Sequence, residues 1–353
     1  MTSRHVGDDH SALALFRTLL SVPSPSGFEH GIARLVRSHL QKLGYASTTD
    51  GAGNVSVRIA GRRPDAPLAC LAAHMDEIGF VVTQVEADGT LRVNRLGGLY
   101  PWKHGEGPVE IIGDQATVTG MLSMGSTHTA PTNQAVEWER VRIITGLSPV
   151  QISAAGVRPG SAGTAARSVC GPVIFGNPGD PLVAAWTFDD RMGIVALLRL
   201  LEWIAHESIQ PHQPLLVAFT TGEEVGGLGA KVLAQRERPE VFIAVDGCPT
   251  PPEAPLLLDG RPGIWTHDRY GPYDQQLVRD LCDLARQAKT ELQPAVYSST
   301  ASDASMVMNT GGAARAACFG HVRENSHGYE VARLSVFDRV FDILVRFVGE
   351  WQA

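Results

Sequence analysis

The sequence lacks the features that mark several large protein classes. Its 353 residues contain no apolar run near the ~20 that a bilayer-crossing helix requires. Its five cysteines, Cys70, Cys170, Cys248, Cys282 and Cys318, are scattered, odd in number and without Cys-x-x-Cys spacing. That usage fits a reducing compartment rather than a disulfide scaffold. Basic side chains are outnumbered: 30 Lys and Arg against 37 Asp and Glu leave a formal net charge of −7. A nucleic-acid binder needs a basic stripe to displace phosphate counterions, so nucleic acid is not an expected partner. Neither GxxxxGK[ST] nor GxGxxG occurs, which removes the common phosphate cradles, and GxSxG is absent, which removes the serine nucleophile elbow. The polar stretch Met1 to His10, followed by an apolar patch broken at Arg17, does not read as a signal peptide. The plain expectation is a cytoplasmic α/β protein that meets neither membrane nor nucleic acid.

A chain of this length predicts two domains, or one large domain carrying an insertion. The N-terminal part alternates helix and strand signals. Ile32, Leu35, Val36, Leu40 and Leu43 recur at helical spacing, Asp50 to Asn54 reads as a turn, and Val55 to Ile59 as a short strand. Pro67 to Ala73 is a continuous apolar run, the mark of a strand covered on both faces. From about residue 80 the texture becomes that of short strands. Phe80 to Val85 and Leu91 to Val93 flank the hairpin signal Asp88-Gly89, and Val109 to Ile112 and Gln115 to Met121 continue the pattern. The α/β texture returns with a helix at Arg191 to Glu207 and strands at Pro214 to Thr220, Val241 to Val245 and Ala313 to Phe319. Two further helices carry Leu277 to Ala285 and Val336 to Val348. The expected organisation is an α/β domain over residues 1–79 and 181–353, interrupted by a β-rich unit over 80–180.

Polar clusters sit at the ends of these predicted strands: His74-Met75-Asp76, Asp189-Asp190, Glu223-Glu224, Asp246 and, a few residues beyond the last strand, His327. Singly, an Asp-Asp before a helix is a cap, and a His-x-Asp is a surface pair. Their shared placement is the informative feature, because ligand sites in open α/β sheets form outside the carboxyl ends of the strands. Two histidines with at least three carboxylates make a ligand set for zinc or a similar divalent ion, rich enough for two ions sharing one carboxylate. The adjacency of Glu223 and Glu224 counts against a glycosidase, whose carboxylates must flank the scissile bond at about 5 Å or more.

At this point the sequence resembles the glutamyl aminopeptidase (tetrahedral aminopeptidase) family of co-catalytic metallopeptidases. The resemblance is carried in order by Pro23-Ser24-Pro25-Ser26-Gly27-Phe28-Glu29, His74 to Phe80, Asp189-Asp190-Arg191-Met192-Gly193, Glu223-Glu224-Val225-Gly226, Ala244-Val245-Asp246, Ser302-Asp303-Ala304 and His327. It implies an α/β fold with a zinc-peptidase-like mixed sheet flanked by helices and a small inserted all-β domain, barrel or PDZ-like, that serves dimerisation. It further implies two divalent metal ions, zinc with cobalt or manganese as alternatives. His74 and Asp246 would hold one ion, Glu224 and His327 the other. Asp189 would bridge them, Glu223 would act as general base, and Asp76 would orient His74 from behind. The implied activity is removal of N-terminal residues from short peptides, and the implied assembly is a homo-oligomer built from dimers, up to a dodecamer.

The sequence departs from the family pattern in three places. Trp186 stands where a lysine is usual, Glu324-Asn325-Ser326-His327 replaces Arg-Tyr-x-His, and Gly328-Tyr329-Glu330 replaces the usual segment after it. All three are expected at the substrate walls. His321 is a competing candidate for the last ligand, with His327 preferred because Glu330 follows it closely. Two other functions share the same strand-end ligands or fold: a metallo-carboxypeptidase or N-acyl amino-acid deacylase, and a non-catalytic assembly protein on a peptidase fold.

Overall fold

The structure, a computed structural model, describes residues 7–128, 135–250, 252 and 256–352, so the opening of the Met1 to His10 stretch lies outside the described residues. Four apolar strands form the centre of the main sheet: Leu215–Thr220, Ala69–His74, Val241–Val245 and Arg315–Gly320, side by side and parallel. Apart from Arg315 every residue in them is buried, as continuous apolar runs covered on both faces require. Val55–Ile59 and Thr48–Thr49 extend one edge antiparallel, and Gly263–Asp268 joins the other edge, pairing in turn with Gly271–Pro272 and Gln293–Val296. The register aligns the carboxyl ends: His74 lies opposite Thr220, and Val245 opposite Phe319. Whatever follows these residues is delivered to one edge of the sheet.

The helix Phe188–His206 packs on strand Ala69–His74 and between helices Gly7–Leu20 and Val336–Glu350. It is buried on nearly all sides, which explains why its sequence is apolar all round rather than striped. Helix Val336–Glu350 shows the stripe instead, burying Val336, Phe337, Val340, Phe341, Leu344, Phe347 and Val348.

The short-strand region forms a closed antiparallel barrel in the order Gly79–Val85, Leu91–Leu96, Arg142–Ile144, Thr117–Ser123, Gly107–Ile112 and Ala162–Ala165. Closure leaves no open edge among these strands. Alternation along Thr117–Ser123 turns Val118 and Leu122 inward, where they join Phe80, Val82, Val93 and Ile111 in an apolar cluster separate from that of the main sheet. Trp186 corrects one expectation. It does not face a substrate wall; its ring is buried in the barrel's apolar cluster, with Nε1–H donated to Thr164 Oγ1 at 3.1 Å.

Glu77 ties the barrel to the sheet. It is fully buried and accepts from the Ser24 N–H at 2.7 Å, from the Thr164 hydroxyl at 3.3 Å and from Arg167 at both oxygens. Arg191, also fully buried, lies 3.5 Å from the same carboxylate and donates to the Met75 carbonyl and the Ser24 hydroxyl. One side chain thus joins the Ser24 segment, a barrel strand and the start of the long helix. Replacing it removes the carboxylate from two guanidinium groups, of which Arg191 is fully buried. Glu77→Ala is expected to lower unfolding free energy by about 3–5 kcal/mol in urea titrations; a loss below about 1 kcal/mol would show that the network is not a structural tie.

Candidate metal centre and active site

His74 ends its strand buried, with Nε2 3.1 Å from Asp189 Oδ1 and Nδ1 3.1 Å from the Asp76 carbonyl oxygen. Since a carbonyl oxygen only accepts, Nδ1 carries a hydrogen, and Nε2, which faces the Asp189 carboxylate, is the nitrogen that a metal ion could take in exchange for its proton. Asp76 does not enter the cavity. Its carboxylate accepts from the Ser26 hydroxyl at 2.7 Å and from the N–H groups of Glu223 and Glu224 at 3.0 and 3.1 Å. Those two glutamates follow strand Leu215–Thr220, and the turn between them and the strand is held by Glu29, which accepts the Gly222 N–H at 3.1 Å.

Asp189 follows Leu182–Trp186 and the left-handed residue Thr187 (φ +66°). Its Oδ1 faces His74 while Oδ2 contacts Arg323 and lies 3.8 Å from His327 Nε2. His327 Nε2 is also 3.6 Å from Glu224 Oε2. Asp246, just past Val241–Val245, groups with His74 and Asp190, each offering an atom within 4.8 Å of the others, and His74, Asp189 and Glu224 make a second such group. The predicted residues therefore gather in one cluster, with Asp189 between the two histidines and Asp76 behind. His321 does not reach it. That ring is buried against Phe188, centroids 5.7 Å apart, with neither nitrogen hydrogen-bonded to protein, and burial pushes its pKa down to about 3.

A cavity of about 290 Å³ opens onto this cluster, lined on one side by Asp189, Glu223, Glu224, Asp246, Arg323 and His327. Its lining also includes Trp265, Arg269, Tyr270, Thr300 and Met306. Of the three departures from the family pattern, only the second reaches this cavity, through Ser326 and His327.

Arg323 and Glu330 organise the far side, and sequence reading gave Arg323 no role. Glu330, almost fully buried, accepts the Asp189 N–H at 2.9 Å and the His327 N–H at 3.2 Å, with Arg323 Nε 2.9 Å away. Arg323 lies in a two-residue strand, Val322–Arg323, too short for any periodic signal. A basic residue directly after a buried run was the only clue.

Burial pushes the Glu224 and Asp246 carboxyls up to about 7, with the Asp189 charge adding to both. It also raises Glu223 and Asp190 well above the ordinary carboxylate range. Asp189 moves the opposite way: burial opposes its charge, but Arg323 and His74 together hold it well below that range. For His74, burial disfavours the charged ring, yet hydrogen bonds to Asp189 and Asp76 outweigh it. Among the described residues, five carboxylates gathered around the single Arg323 guanidinium in contact with them make a pocket that suits cations. Asp190 Oδ2 is buried without a partner, and the imidazole and carboxylate donors are those that suit a divalent ion. The residues fit such a group.

The mixed sheet, the inserted barrel and a donor cluster at the strand ends define a class, and solved structures share its fold. The TET aminopeptidase of the Thaumarchaeota archaeon SCGC AB-539-E09 superposes with a TM-score of 0.88 at 22% identity, over 98% of both chains. The TET1 peptidase of Pyrococcus horikoshii, which can assemble into a tetrahedron or a large octahedral shell, gives 0.84 at 21%, over 96% of this chain and 100% of that one. The chain belongs to the M42 glutamyl aminopeptidase family, whose model matches residues 53–343. The glutamyl aminopeptidase of Lactococcus lactis is 29% identical over 258 residues, 66% of this chain and 65% of the relative. The chain spans just under two thirds of the length of this and the next curated relatives it matches.

A divalent ion must displace protons that Glu224 and Asp246 still hold near pH 7. Titrating zinc into metal-free protein at pH 7 is therefore expected to release protons, seen calorimetrically as a heat that changes with the ionisation enthalpy of the buffer. The part of the release that comes from these two carboxyls should shrink as pH rises a unit or more above that value, while the His74 proton continues to be displaced. A buffer-independent heat would mean that these carboxyls do not receive the ion.

Proposed function

We propose that this chain is a cytoplasmic aminopeptidase that removes N-terminal residues from short peptides with the help of two divalent metal ions. The observation that carries the reading is the Asp189 carboxylate, which turns one oxygen to His74 and the other toward His327. His74 and Asp246 would hold one ion, Glu224 and His327 the other, and Asp189 would be shared. Zinc suits this set, and cobalt or manganese suit it as well. When bound, such ions supply Lewis acidity, polarising the scissile carbonyl and making a water molecule acidic near neutral pH.

The protein's own groups do the rest. Glu223 is anchored through its N–H to Asp76 and lines the cavity, where its raised pKa suits it to take a proton from the attacking water and return it to the leaving amine. Asp76 keeps the His74 tautomer fixed and sets the backbone of both glutamates. Arg323 and Glu330 hold Asp189 and His327 in place. The reading extends to a homo-oligomer, with the barrel as the dimerisation unit and a dodecamer as the largest expected form. No helix among the described residues is long and apolar enough to cross a membrane.

The test is a free pentapeptide beside its N-acetylated twin, each incubated with the zinc-, cobalt- or manganese-loaded protein and followed by mass spectrometry. Stepwise shortening from the N-terminus of the free peptide alone is expected, and a chelator should abolish it. Release of acetate or of the C-terminal residue would overturn the aminopeptidase reading in favour of a deacylase or carboxypeptidase. Glu223→Gln should bind metal as the parent does while turnover falls by about 10²–10⁴-fold, because an amide cannot accept the proton. Near-normal turnover would remove Glu223 from the base role.

A further inference from the structure

The two cluster histidines are held in the same way from different parts of the molecule. His74 is fixed by the Asp76 carbonyl, close to it in the same strand end. His327 is fixed by the barrel. Its Nδ1 lies 3.1 Å from the carbonyl oxygen of Gly98, just past the barrel strand Leu91–Leu96. An oxygen that only accepts requires hydrogen on Nδ1, so Nε2, which faces Glu224 and Asp189, is the nitrogen left to bind an ion in place of a proton. His327 needs outside support, because its backbone sits in the left-handed region at φ +60°. Glu330 fixes its N–H and Gly98 its ring.

The barrel backbone can come this close only because it carries no side chain there. A Cβ on Gly98 would stand 2.6 Å from His327 Nδ1, and one on Gly97 would stand 3.3 Å from the Glu224 Cβ. Both residues of the Gly97-Gly98 pair thus abut the two groups assigned to the second ion.

We propose that the inserted barrel completes the metal centre: the Gly98 carbonyl positions His327 for the second ion, and the glycine pair is the clearance this requires. The proposal rests on the two-ion reading above. Gly98 and Gly97 are positioning residues, touching ligands rather than substrate.

The test compares the parent protein with Gly98→Ala, His327→Ala and the double variant. Each is stripped by chelator and then titrated with cobalt(II) by equilibrium dialysis with metal counting, and the melting temperature of each metal-free form is recorded. The parent should bind two ions, and His327→Ala should weaken one of them. Gly98→Ala should weaken the same single ion roughly 10–100-fold, the range expected when a ligand loses its supporting hydrogen bond. In the His327→Ala background the alanine at 98 should change nothing further, because the ring it would strike is gone. Should Gly98→Ala fail to fold alone, the double variant must fold as His327→Ala does, and its failure would overturn the proposal. Gly98→Ala binding both ions like the parent, or weakening binding equally in both backgrounds, would also overturn it. A parent that binds fewer than two ions, or a His327→Ala variant that keeps both, would instead overturn the two-ion reading itself.

Discussion

Asp76 accepts a hydroxyl and two backbone N–H groups while lying 3.5 Å from the His74 ring, and the geometry of the whole cluster depends on that one buried carboxylate. A carboxylate has about four acceptor positions, and here they are spent on three separate chain segments. The Ser26 turn, the end of strand Ala69–His74 and the Glu223-Glu224 turn are thereby locked to a common point. Glu330 does the same on the opposite side, taking the backbone N–H groups of Asp189 and His327 and facing Arg323. Neither carboxylate is needed in the cavity for this. Together they fix the residues that are.

The cost of this arrangement is electrostatic. Asp189, Asp190, Glu223, Glu224 and Asp246 crowd together with little of their surface exposed, and charges of one sign repel more strongly there than in open solvent. Arg323 and the two histidines bring only Asp189 below the ordinary range; for the others burial outweighs that help, and they hold protons to higher pH. A structural cluster would be expected to recruit further Lys or Arg, as Glu77 does with Arg167 and Arg191. At the junction one carboxylate meets two arginines; at the cavity five carboxylates meet one arginine and two histidines, so negative charge is left over for a cation to match.

The central strands and the long helices were legible because their burial leaves a direct mark on composition. A parallel strand covered on both faces must be apolar throughout, and Ala69–His74 and Leu215–Thr220 are. The hairpin at Asp88-Gly89 was legible from turn chemistry, and the structure pairs Gly79–Val85 with Leu91–Leu96 there. The strand-end residues could be picked out because a sheet edge concentrates them. Arg323 could not, since its partners, Asp189 and Glu330, lie on other segments and no local pattern links them. Trp186 misled for the same reason. Its neighbours in sequence lead into the site, but its side chain turns to the barrel, and the side of a strand that faces each of two cores is not encoded by period alone.

The barrel's relation to the sheet follows from this same distribution of contacts. Independent units joined by a linker share few buried polar contacts, and their relative motion is the default. Here the boundary instead carries the fully buried Glu77 with its two arginines, the Trp186 ring inserted from the end of strand Leu182–Trp186, and the Gly98 carbonyl against His327. Each of these is sensitive to displacements of a fraction of an ångström, because a buried ion pair, a packed indole and a hydrogen bond all fail steeply with distance. A hinge at this boundary would break all three at once. The barrel is therefore part of the wall and support of the site as much as a separate body, which explains why an all-β unit placed between His74 and Asp189 in sequence leaves those two side chains 3.1 Å apart in space.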